Sequence, residues 1–228
     1  MPLLDEKVRQ QVTEALAPMR QPVEVVIYTR GRLIVPGADE AGLEAETVEL
    51  VRELASVNPL ITVEERSLAT DPDAKELGIT LAPTTLLREA GSQRTNIRFA
   101  GFPGGYEFRT LLDALIMLGT GESGLGERSQ GELARIDSPL RMQAFVTPTC
   151  PYCPKAVVTA YKFAFHNPNV IAEGVEASEF PGLSGRLGIS SVPDTVISGQ
   201  STERVLGGQP DRVFVEAALR AAGLAAAA

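Results

Sequence analysis

The sequence predicts an α/β protein built from two tandem copies of one unit, each a mixed central sheet flanked by helices. Segments recur in the same order in the two halves: 25–29 is matched by 143–147, 77–85 by 187–195, and 99–103 by 205–209. Each half also reads as strand, helix and strand, then a short helix, two more strands and a closing helix. That order builds a mixed sheet with helices on both faces. Finally, the chain has only two cysteines, Cys150 and Cys153, and they sit together where the second half passes from a strand into a helix.

The elements follow in order. Asp5 opens a helix that runs to Leu16, and the apolar stretch 23–29 is a strand. Leu43, Val48, Val51 and Leu54 give a rough apolar face to a helix over 39–55. A strand over 60–66 follows. Asp71 and Pro72 then read as N-cap and first residue of a short helix that Gly78 ends. Strands over 84–88 and 95–100 and a helix over 105–118 complete the first unit. The stretch 119–126 holds four glycines and reads as a linker, which puts the units at 1–120 and 121–228. The second unit reads as helix 131–136, strand 140–146, helix 151–165, strand 169–176, short helix 181–187, strands 194–198 and 203–206, and helix 210–222. The alanine tail 225–228 frays.

Composition narrows the function. With 228 residues, 44% apolar and 22% charged, the chain is that of a globular protein. A net charge of −8 opposes binding to a phosphate backbone, and the lack of Trp beside 4 Tyr and 8 Phe leaves little for base stacking, so nucleic acid is excluded as a partner. No uncharged apolar run reaches the ~18 residues of a membrane span. The start, Met1-Pro2-Leu3-Leu4-Asp5-Glu6-Lys7, turns charged at once and has no secretory pattern. A cytoplasmic protein with no membrane partner is expected.

Two cysteines and one histidine are too few for a single-chain zinc site, so no metal is expected. A lone Cys-x-x-Cys after a strand and at a helix start reads as a redox pair. Pro151 and Pro154 are tolerated only near the first turn, which places both sulfurs at the helix N-terminus. The partial positive charge and free N–H groups there favour a thiolate. Cys150 is therefore the nucleophile and Cys153, one turn in, the resolving thiol. No cofactor beyond the redox-active disulfide is expected. Pro193 lies between a short helix and a strand, as does Pro83 in the first unit. A cis Val192–Pro193 bond facing Cys150 is expected, its backbone pairing with an extended partner segment. Aligning Thr29 with Thr147 puts Arg32 and Val35 where Cys150 and Cys153 stand, so the first unit cannot exchange thiols.

The run Val146-Thr147-Pro148-Thr149-Cys150-Pro151-Tyr152-Cys153-Pro154, with Tyr161-Lys162-Phe163-Ala164 and 175–181 beyond it, resembles the glutaredoxin-like protein disulfide oxidoreductases of thermophiles. The chain is also similar to the N-terminal domain of the flavoprotein subunit of alkyl hydroperoxide reductase. Both resemblances imply two tandem thioredoxin-like units. They imply Cys150 as nucleophile, Cys153 as resolving thiol and a cis-proline at Pro193, with Pro151, Tyr152 and Val192 supporting the site. The Pro151-Tyr152 pair matches glutaredoxins. The implied partners are protein disulfide substrates, a thioredoxin-reductase-like flavoprotein as electron donor, and a peroxiredoxin. The single Cys-x-x-Cys departs from the first family, whose members typically carry one in each unit.

Two readings compete with thiol–disulfide exchange. A dimer could hold a metal ion or iron–sulfur cluster between two Cys pairs, or the surface near Pro193 could bind peptides without catalysis. Weaker features are given their plainer meaning. The glycine-rich 101–105 is a turn rather than a phosphate loop, and His166 is a surface group at a helix C-terminus. Glu176, near the end of a strand, is a candidate acceptor for the Cys153 proton. Arg141 and Lys155 are candidates to hold the thiolate.

Overall fold

A computed structural model describes residues 3–31 and 43–225. The first unit contributes α1 (Glu6–Leu16), β1 (Val23–Thr29), α2 (Leu43–Val57), β2 (Ile61–Ser67), α3 (Pro72–Glu76), β3 (Thr84–Glu89), β4 (Ile97–Ala100) and α4 (Glu107–Thr120). The second contributes α5 (Glu127–Leu133), β5 (Leu140–Val146), α6 (Cys153–His166), β6 (Val170–Glu176), α7 (Pro181–Arg186), β7 (Asp194–Ser198), β8 (Thr202–Leu206) and α8 (Asp211–Ala221). Asp5 and Asp71 cap α1 and α3 by accepting from Val8 N and Asp73 N, in the way short polar side chains satisfy a helix's unpaired N–H groups. Arg32, Val35 and the proposed start of the second helix at 39–42 lie outside the described residues, as do residues 226–228.

The strands form one eight-stranded sheet in the order β2-β1-β3-β4-β6-β5-β7-β8. Its two halves repeat one pattern, a parallel pair followed by antiparallel neighbours, and they meet where β4 runs parallel to β6 with Ile97 opposite Ala172 and Ala100 opposite Val175. One apolar cluster runs the length of one face, from Leu16, Val51 and Leu115 in the first unit to Phe163 and Phe214 in the second, under α1, α2, α4, α5, α6 and α8. The other face carries two separate clusters, around Tyr28 beneath α3 and around Phe145 beneath α7. No helix among the described residues is long and apolar enough to cross a membrane.

The seam is closed by polar groups as well. Asn96, buried, donates from Nδ2 to the carbonyls of Ala164 and Val170 at 2.8 and 2.9 Å. Arg94 donates to the carbonyls of Phe165 and Ala164 at the C-terminal end of α6. Helix ends leave carbonyls without partners, and here the first unit supplies partners to a helix of the second.

Three readings of local structure are corrected. The proposed linker at 119–126 is shorter, because α4 continues to Thr120 and ends at Gly121, whose φ of 74° is left-handed. Gly119 belongs to the core, since a Cβ there would lie 2.6 Å from Met19 Cγ. The helix placed at 131–136 is α5, which begins at Glu127 after Gly126 and keeps Gly131 inside it. His166 does end α6, but its Nε2 lies 2.5 Å from Ser123 Oγ in the connecting segment, so its ring ties that segment down. Partial burial and the nearby Arg94 charge lower the imidazole pKa.

Candidate active site

β5 delivers the chain into Thr147-Pro148-Thr149 and then the cysteine turn. Cys150 N donates to Thr147 O at 3.1 Å, Cys153 N to Cys150 O at 3.3 Å, and α6 begins at Cys153 with Pro154 in its first turn. Cys150 and Cys153 form a disulfide with Cα atoms 5.5 Å apart. Cys150 is half-buried and Cys153 is fully buried. Tyr152, at the N-cap position, makes no side-chain cap hydrogen bond. The helix N-terminus is therefore free to polarise the sulfur in front of it.

The Val192–Pro193 peptide is cis, and so is Ala82–Pro83. Register places the first of these at the cysteine end of the sheet: Phe145 pairs with antiparallel Asp194, so the residues after β5 and before β7 share that end. Cys150 and Val192 pack half-buried against the same core cluster. Pro193 O accepts from Gly207 N at 2.8 Å, whereas Val192, outside any strand, makes no hydrogen bond in the described structure. In the first unit the equivalent backbone is taken: Ala82 O accepts from Arg30 Nη2 at 3.4 Å, and Arg30 is paired with Glu44.

The remaining sequence candidates separate. Pro151 and Tyr152 stand exposed around the turn. Lys155 lies in the first turn of α6, against the backbone at Gly208. Arg141 sits at the opposite end of β5 and binds Glu173 at 2.8 Å, which corrects its proposed role at the thiolate. Glu176 lies on the sheet face covered by α6. A Cβ on Gly174 would touch Val157 Cγ1 at 3.1 Å; one step further along the strand and one turn back on the helix stand Glu176 and Cys153. Its Oε2 accepts from Glu179 N at 2.6 Å, while its buried Oε1 has no partner. Burial raises the Glu179 pKa, and its Oε1 accepts from Phe102 N at 2.8 Å.

Sequence reasoning missed Glu107. It is fully buried in the first turn of α4, and that helix packs along α6. Tyr106, the residue before it, donates from N to Pro148 O at 2.9 Å, which ties the start of α4 to the loop leading into Cys150. Glu107 Oε2 accepts from Thr110 Oγ1 at 2.7 Å, and Oε1 has no partner. Burial pushes its pKa up to about 7. An exposed Glu ionises at ~4.3. The folded state therefore binds a proton that the unfolded chain has released between those values, and stability falls as pH rises from about 4.5 to about 7. Glu107→Gln escapes this loss. It is expected to match the parent in urea unfolding at pH 4.5 and to exceed it by about 2–3 kcal/mol at pH 8. A difference that does not change with pH would refute the assignment.

With the geometry in place, comparisons with known proteins give it a family context. Residues 140–220 match the thioredoxin domain family. That region has a thioredoxin-like fold. The pairing of two such folds is shared by solved structures. The N-terminal domain of the alkyl hydroperoxide reductase AhpF of Enterococcus faecalis superposes with a TM-score of 0.82 at 28% identity, covering 94% of this chain and 99% of that one. A protein disulfide oxidoreductase from Aeropyrum pernix gives 0.82 at 27%, covering 98% and 96%. Among curated relatives, the AhpF protein of Pseudomonas putida is 26% identical over 198 residues, and that of Escherichia coli is 24% identical. These matches span 87% of this chain but 34% of each relative's length. The matched region carries the disulfide, and the cysteine-free unit completes the sheet beside it.

Proposed function

We propose that this chain is a dithiol–disulfide oxidoreductase acting on protein disulfides. The observation that carries the reading is the Cys150–Cys153 disulfide at the mouth of α6, at the same end of the sheet as the free backbone of Val192. In the reduced form the Cys150 thiolate attacks a partner disulfide, forming a mixed disulfide and releasing one partner thiolate. Cys153 then attacks Cys150 Sγ, which closes the internal disulfide and releases the second partner thiol. The partner gains two electrons and the chain loses two. No cofactor beyond the cysteine pair is required for this exchange. Protein substrates of this kind agree with the oxidoreductase from A. pernix. The similarity to a component of alkyl hydroperoxide reductase supports a peroxiredoxin as electron acceptor and a thioredoxin-reductase-like flavoprotein as donor.

The resolving step needs Cys153 deprotonated although it is fully buried. Two buried carboxyls lie on its side of the sheet, Glu107 on α4 and Glu176 on β6. Glu107, at the start of the helix that packs along α6 and whose pKa burial pushes up to about 7, is a second candidate acceptor beside Glu176. Glu176 is dismissed if Glu176→Gln resolves at the parent rate.

The decisive experiment is trapping. Cys153→Ser, reduced and mixed with a cell extract, is expected to accumulate disulfide-linked partners at Cys150 that dithiothreitol releases. Cys150→Ser treated alike should hold none. Equal yields from both variants, or a coloured, metal-containing dimer in place of the adducts, would overturn the reading.

A further inference from the structure

The large apolar side chains left exposed among the described residues are Leu3, Leu43, Tyr106, Tyr152 and Leu206. The last three stand in or beside the loops at the Cys150 end of the sheet. Tyr152 is 71% exposed and stands between the cysteines. Leu206, 54% exposed, precedes the turn in which Gly207 binds Pro193 O and a Cβ on Gly208 would lie 3.0 Å from Tyr152 O. Tyr106, 51% exposed, comes from the other unit. It is held there by an unusually close backbone approach. Gly105 has a φ of 58°, and a Cβ on it would lie 2.2 Å from Pro148 O, the atom that accepts from Tyr106 N. No side chain could stand at 105 without separating the two loops.

Sheet order puts these groups on opposite flanks. β5, which feeds the cysteine turn, has β7 and β8 on one side and β6 followed by β4 on the other. Leu206 and Val192 belong to the first flank, and Tyr106, reached from β4, to the second. Phe102 and Cys150 both pack half-buried against the large core cluster. The cysteine turn thus has an exposed apolar residue on each flank, at the end of the sheet that also carries the unpaired backbone of Val192.

We propose that the cysteine-free unit supplies one wall of the substrate groove, with Tyr106 as its contact residue. The occupant is an extended segment of a disulfide-bearing protein with a bulky apolar side chain beside its cysteine. An extended backbone is what the free N–H and carbonyl of Val192 can pair with. A Tyr held at the rim gives large contact area at little entropic cost, as such residues do at binding hot spots. In its own unit the corresponding carbonyl, that of Ala82, already accepts from Arg30 Nη2 at 3.4 Å. The cysteine-free unit thus serves its neighbour's substrate.

This rests on the exchange reaction proposed above, and two substrates keep them apart. Tyr106→Ala and Tyr106→Phe are assayed with insulin, a protein disulfide, and with 5,5′-dithiobis(2-nitrobenzoate), which is too small to reach the wall. Tyr106→Ala is expected to raise KM for insulin about tenfold with kcat within twofold. Its rate with the small disulfide, and the pH midpoint of Cys150 alkylation, should be unchanged. Tyr106→Phe should keep at least half the parent kcat/KM for insulin. An equal loss on both substrates, or no loss on insulin, overturns the proposal. If the unmodified chain reduces neither substrate, it is the exchange reaction that fails.

Discussion

Replacing Cys150 with Ser is expected to lower protein disulfide reduction by on the order of a thousandfold or more, with the fold unchanged. A hydroxyl at this position gives no thiolate at neutral pH. Cys153 cannot take over, because it is fully buried while Cys150 is half-exposed at the turn. The same geometry has a signature in the unmodified protein. The start of α6 lies in front of Cys150 with no side-chain cap. Its N–H groups and partial positive charge should bring the thiol well below the ~8.5 of free cysteine. In the reduced protein, alkylation of Cys150 by iodoacetamide is expected to show a midpoint below ~7.5, while Cys153 stays protected. A midpoint at the free value, or a Cys150→Ser variant that still reduces insulin, would end the case for a nucleophile at this position.

The second large effect concerns the seam. Asn96→Ala should destabilise the whole chain by about 2–4 kcal/mol, since it leaves the Val170 carbonyl without its donor and the Ala164 carbonyl with Arg94 alone. The loss should appear as one shifted transition rather than as early melting of one half. β4 and β6 are hydrogen-bonded neighbours in a single sheet, and one apolar cluster extends beneath both units. Chemical denaturation followed by far-ultraviolet circular dichroism and by amide exchange in β1 and β7 checks this. Two separated transitions, or an unchanged midpoint, would show that the units fold independently.

The outlines of the elements were legible because local rules decide them. The Asp71-Pro72 start and Gly78 stop of α3 lie within a few residues of each other, and the apolar run of β5 leads directly into the cysteines. The reactive pair was legible for the same reason, since two sulfurs, flanking prolines and a following helix are all contiguous. What could not be read depends on contacts between distant segments. The pairing of β4 with β6 turned an apparent linker between units into a short turn inside one body. The bond between Ser123 and His166 gave a presumed surface histidine a structural partner. Glu107 was invisible because an acid in the first turn of a helix is ordinary and favourable there. Only the packing of α4 along α6 reveals that it is sealed from water. α5 was placed one turn late because Gly126 and Gly131 both punctuate the sequence, and only the first marks a boundary.

Fusing the two sheets through β4 and β6 has a consequence for self-association. Two separate sheets would each present two open edges to neighbouring molecules, and an open edge is a template for runaway strand pairing. Here the inner pair is consumed by the fusion, leaving β2 and β8 as the termini of the sheet. Both carry charge, with Glu64, Glu65 and Arg66 on one and Glu203 and Arg204 on the other. Doubling the chain thus left no more aggregation-prone border than a single copy would have, and the border that remains is guarded by ions.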